Sequence, residues 1–173
     1  MAKITQIPAP DDSFLHALAC QTGAYADCFE ATVACDIPQS DAFVCFVLAF
    51  FDSPVFRVER AILRFAGKAP KDRSDPKALA LGETDAFAAW RVERRADNEI
   101  LLVVPNTPIR TCLSLQKEGS VARLRFGSAI LPQEAKDIPH WAFRATLPAH
   151  VAYSRLLLRA AVSGWAGATA KDG

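Results

Sequence analysis

Residues 109–132, IRTCLSLQKEGSVARLRFGSAILP, decide the fold. Thr111, Leu113 and Leu115 alternate with Arg110, Cys112, Ser114 and Gln116, the two-residue period of a strand with one buried face. Gly119 sits where a hairpin must turn. Beyond it, Ala122, Leu124, Phe126 and Ser128 mark one face of a returning strand. Upstream, AFAAWRVERRADNEILLVVP (86–105) repeats the design: Trp90, Val92 and Arg94 alternate, ADNE turns, and ILLVV returns. Two hairpins in succession make an antiparallel meander.

Further upstream, YADCFEATVAC (25–35) alternates Phe29, Ala31, Val33 and Cys35 with Glu30, Thr32 and Ala34, so it reads as another half-buried strand. The following DIP ends it, because proline cannot continue a ladder. DAFVCFVLAFFD (41–52) places Phe43, Phe46, Val47 and Phe50 on one helical face, with Val44, Leu48 and Phe51 on a second apolar face. Ser40 or Asp41 is its expected N-cap. Its ten apolar residues would span about 15 Å as a helix against a bilayer core of about 30 Å, so no membrane span is expected.

SPVFRVERAILRFAGK (53–68) is a second helix, entered at Pro54 and left at Gly67. Val55, Val58, Ile62 and Phe65 form its apolar face, and Arg57, Arg60 and Arg64 a basic stripe. Residues 68–85, rich in charge, Pro and Gly, read as a loop. After a connection punctuated by Pro132, Pro139 and Pro148, HVAYSRLLLRAAVSGWAG (150–167) is an amphipathic helix. Its apolar side carries Val151, Leu158, Ala161, Val162 and Trp165, and Arg155 and Arg159 share the other side. Residues 1–24 are expected to be an arm with one helical turn, 25–166 the body and 167–173 a tail, all within a single domain. Helices segregated from an antiparallel sheet define an α+β fold.

The order of YADCFEATV, SPVFRVERAILRFAG, WRVERRADNEILL, IRTCLSL and HVAYSRLLLRAAV, spread over residues 25–162, resembles the helix-grip fold of the START-like or SRPBCC superfamily. More narrowly, it resembles a bacterial family of small SRPBCC-like domains. The resemblance implies a curved antiparallel sheet wrapped around a long C-terminal helix, two short helices after the first strand, and a cavity between sheet and helix. It carries no motif with an assigned role, so no functional residue is transferred.

Composition narrows the function classes. With 51% hydrophobic and 23% charged residues the chain is an ordinary globular protein, and its net charge of +1 provides no global pull toward nucleic acid. The basic excess of Arg57, Arg60, Arg64, Lys68, Lys71, Arg73 and Lys77 is diluted by Glu59, Asp72 and Asp75 and reads as a solvated face. Five cysteines without a CxxC pair point away from a disulfide framework or zinc site and toward a reduced, cytoplasmic protein. The N-terminus, with one lysine and no long apolar core before a small-residue cleavage site, does not read as a signal peptide.

No nucleotide-binding, metalloprotease or nucleophile-elbow motif occurs, and SDPK (74–77) matches the loose SxxK pattern without its companions. His16, His140 and His150 are not spaced to converge on a metal, so no metal and no cofactor are expected. His140 is a candidate general base; His150, opening the last helix, reads as structural. Catalytic residues are therefore not assigned.

The expected job is binding an apolar or amphiphilic small molecule. The cavity candidates are Phe46, Phe50, Trp90, Leu113, Phe126 and Trp141. Arg123 and Arg125 share one strand face and join them if that face is concave, where they would take an anionic head group; on the convex face they meet solvent. The alternation does not choose between the two. The alternatives are a cyclase- or hydrolase-like enzyme on a hydrophobic substrate, or a module that dimerises without ligand. A monomer and a homodimer are both compatible with the sequence.

Overall fold

A computed structural model describes residues 2–65, 75–133 and 140–169. In chain order its elements are β1 (Ile4–Ile7), α1 (Phe14–Thr22), β2 (Tyr25–Ala34), α2 (Gln39–Phe51), α3 (Pro54–Phe65), α4 (Pro76–Leu81), β3 (Ala86–Phe87), β4 (Trp90–Ala96), β5 (Glu99–Val103), β6 (Ile109–Glu118), β7 (Val121–Ile130) and α5 (His140–Thr169). The strands form one antiparallel sheet in the order β1-β2-β7-β6-β5-β4-β3. The long C-terminal helix lies against β2 and β7, and α2 packs beside it. This is the α+β, helix-grip arrangement: an antiparallel sheet holding a long C-terminal helix.

The two hairpins fall where the alternation puts them. Gly119, with φ of +61°, makes the turn between β6 and β7. The β4–β5 ladder carries a register shift between Val92 and Arg94. On the α5 face, Phe29, Ala31, Leu113, Leu115, Leu124 and Phe126 join Phe43, Phe46, Phe50, Leu157 and Leu158 in the main core. Phe50 stacks on Phe126 with ring centroids 5.2 Å apart, so the first face of α2 meets a filled core. Its other face, with Val44, Cys45, Leu48 and Ala49, is half-buried.

Five local features differ from the sequence reading. The N-terminal 24 residues hold a strand and a full helix rather than an arm with one turn. Ser13 caps α1, its hydroxyl accepting from the His16 N–H at 3.1 Å, and Gly23 closes it with φ of +66°. Within the expected loop at 68–85, residues 76–81 are helical; residues 66–74 lie outside the described set. Asp75 accepts from the Lys77 N–H at 2.8 Å, Pro76 takes the first turn, Gly82 ends the helix, and Leu79 is buried against the core.

The third feature is the start of α2: the helix begins at Gln39 behind Pro38, without a side-chain cap from Ser40 or Asp41. The fourth is the face of α3. Phe56 is 2% exposed and Val58 60% exposed, so the Phe56 side turns inward. The larger ring gains more from burial, among Phe50, Phe51, Phe87 and Trp90. Finally, α5 starts at His140 rather than at 150 and continues through Pro148, despite the lost backbone donor and the ring's crowding of the preceding turn.

The sheet is covered on both faces. Helix α1 lies on the face away from α5, where Leu15, Cys28, Leu101, Cys112 and Ala129 form a second cluster. Gly127 permits the contact: a Cβ there would run into the Leu15 side chain. Glu99 anchors the helix, its carboxylate accepting from the Phe14 N–H at 2.9 Å and from the Cys112 thiol at 3.1 Å. Burial raises the Glu99 carboxyl above its ordinary value, against these two hydrogen bonds, which lower it.

Candidate functional site between the sheet and the long helix

The register aligns side chains on the α5 face into cross-strand rows. Phe29, Phe126, Leu113 and Ile100 make one row, all buried in the main core. Two residues along, the next row is Asp27, Ser128, Thr111 and Leu102, polar over its first three positions. Two further, Tyr25, Ile130 and Ile109 form the last row of the ladder. A polar row thus separates the aromatic core from an outer apolar strip, where Ile109 is 44% exposed and Tyr25 and Ile130 are half-buried.

His150 on α5 completes the polar row. Ser128 donates to Asp27 Oδ1 at 2.7 Å and meets His150 Nε2 at 2.8 Å. His150 Nε2 also lies 3.2 Å from Asp27 Oδ2. The Asp27 side chain has no exposure, whereas His150 keeps 26% and forms the solvent-facing edge. Ser128 has one proton and gives it to Asp27, so the imidazole supplies the proton shared with the Ser128 oxygen. The chain of donation runs His150 to Ser128 to Asp27. A serine nucleophile needs the reverse, with its proton taken by the imidazole and a carboxylate on the opposite ring nitrogen. The cluster is built to hold a carboxylate and not to activate a hydroxyl.

Two buried polar atoms are left without a hydrogen-bond partner among the described residues: Asp27 Oδ2 and Ser154 Oγ. His150 Nε2 lies close to Oδ2 but is not aligned for a hydrogen bond to it. Ser154 is fully buried and stands about one turn of α5 beyond His150, about 6 Å along the axis. Beside Asp27, burial first and the carboxylate second push the Tyr25 hydroxyl above its ordinary value.

The expected cavity residues divide by location. Phe46, Phe50, Trp90, Leu113 and Phe126 come together in the main core, packed on one another. Arg123 and Arg125 stand on the opposite face. Arg125 donates to Glu30 at 2.8 Å and to Gln116 at 2.8 Å, and Arg123 to Glu118 at 2.9 Å. Their guanidiniums are committed to these partners. Trp141 and His140 lie on α5 with side chains outside the described residues.

The sequence reading missed Asp27 and Ser128 as a site, and treated His150 as structural. The signal was present: an aspartate and a serine sit at inward positions of otherwise apolar alternations, where a polar residue needs a partner. Elsewhere, two surface grooves of about 560 Å³ flank α2. One is lined by Leu48, Ala49, Pro54 and Gly164, the other by Phe43, Val44, Leu81 and Arg95. Neither includes the polar row. Among the described residues, no group of three His, Cys, Asp or Glu side chains could hold a metal, and no helix is long and apolar enough to cross a membrane.

These elements define an α+β domain of helix-grip form with a buried carboxylate–hydroxyl–imidazole cluster at the sheet–helix junction. No protein-family model and no curated protein matches the chain. Among solved structures it is similar to the crystal structure of CalU16 from Micromonospora echinospora, at 11% identity, covering 95% of this chain and 97% of that one, with a TM-score of 0.32. At that level the likeness carries no weight, and the fold rests on the element order and sheet register.

Proposed function

We propose that this protein binds an amphiphilic small molecule at the junction of sheet and C-terminal helix, as a START-like domain acting in the cytoplasm. The observation that carries the reading is the polar row. A fully buried carboxylate with one unfilled oxygen lies beside the half-exposed apolar strip of Tyr25, Ile130 and Ile109. Leaving a buried polar atom unpaired costs about 1–3 kcal/mol, which a ligand group could recover. Apolar walls with a few convergent polar groups are the usual design of small-molecule sites. The apolar body of the ligand rests on the strip and its polar end reaches the cluster. Five free cysteines, three of them buried, support the reducing compartment.

Native mass spectrometry of the purified protein, followed by extraction, tests this. An adduct of a few hundred daltons with an apolar body is expected, or saturable binding from a panel of amphiphiles that shifts the His150 ring resonances. Absence of any adduct and of any binding from the panel would sink the proposal.

A further inference from the structure

We infer that the polar end of the ligand is a hydrogen-bond donor, an alcohol, phenol or amine, and not a carboxylate or phosphate; this rests on the binding reading above. Asp27 has its Oδ1 filled by Ser128 and its Oδ2 open. An ionised carboxylate accepts and cannot donate, so whatever fills Oδ2 must bring a proton. The imidazole nitrogen nearest to it, Nε2, is already engaged with the Ser128 hydroxyl at 2.8 Å. Ser154 Oγ, buried and also unspent, lies one turn along α5 on the same side of the helix as His150 and offers a hydroxyl that can accept from the head group as well as donate.

An anionic head group would meet the Asp27 carboxylate in a place with little water to screen the repulsion. Among the described residues, His150 is already set against the Asp27 carboxylate, and the arginines lie elsewhere. Arg123 and Arg125 are paired on the far face of the sheet, and Arg155 is exposed on α5 with its guanidinium 5.8 Å from the Phe29 ring centroid. The site therefore selects against the head group that inward-facing arginines would have chosen.

The test is a head-group series on the unmodified protein. 1-Decanol, decylamine and decanoate share one chain and are titrated at pH 7.5, with the His150 ring resonances as the readout. The alcohol or the amine should bind at least tenfold more tightly than the acid, and the difference between those two arms tells a neutral from a cationic head. Asp27→Asn, checked for folding by circular dichroism, should narrow the gap at least fivefold, because the amide offers a donor as well as an acceptor. Equal binding of all three, or tighter binding of decanoate, overturns this inference and leaves the binding reading standing. Failure of all three to bind overturns both.

Discussion

Ser128 and Asp27 are register partners across the β2–β7 ladder, and the Ser128 hydroxyl fills one oxygen of a carboxylate that has no exposure. Removing that donor leaves Asp27 with two unfilled oxygens in a buried site. Ser128→Ala should cost about 1–3 kcal/mol in urea denaturation, with an unchanged m-value. A change within 0.3 kcal/mol would mean that water already serves Asp27.

On the other face, Gly127 and Leu15 share one space. Gly127→Ala should destabilise by about 1–3 kcal/mol through overpacking, since the new methyl meets Leu15 and stands 3.0 Å from the Asp27 carbonyl oxygen. Leu15→Ala opens room for it. A double-mutant cycle by thermal denaturation should show coupling, with the alanine at 127 costing less in the Leu15→Ala background. Additive effects would separate the two residues.

Phe56 and Val58, two residues apart on α3, should respond very unequally to truncation. Phe56→Ala removes a ring packed 4.8 Å, centroid to centroid, from both Phe51 and Trp90 and should cost about 3–5 kcal/mol. Val58→Ala, at an exposed position, should stay within about 0.5 kcal/mol. Chemical denaturation of the two variants side by side checks the inward face of α3.

Burial pushes the Cys28 thiol up to about 12, and raises Cys112 well above its ordinary value, with Glu99 adding to the effect. Each thiol keeps its proton longer folded than unfolded. Stability from this source is complete below about pH 9 and declines as pH rises toward 12, at up to about 1.4 kcal/mol per pH unit for each thiol. A Cys28→Ala/Cys112→Ala variant should therefore lose less stability than the parent between pH 9 and 11 in denaturant titrations. Identical alkaline slopes would remove both thiols from the account.

Much of the fold was legible in the sequence because its signals are local. Period two in residues 109–130 marks β6 and β7, and helical period in 41–52 marks α2, since both follow from backbone geometry within a few residues. Even the elements that the reading missed had local marks: Ser13 and Gly23 bracket α1, and Asp75, Pro76 and Gly82 bracket α4. What periodicity does not contain is which face of a strand a helix will cover. Alternation puts Arg123 and Arg125 together on one face, but only α5 on one side and α1 on the other make that the far face from the long helix. The candidate site is more remote still. Asp27 and Ser128 are 101 residues apart and Ser128 and His150 are 22 apart, so their meeting depends on strand register and on where α5 comes to rest. The sequence by itself determined the elements and their order; the tertiary structure alone decided which polar residues share a buried space, because burial and pairing are properties of the packed sheet and helix together.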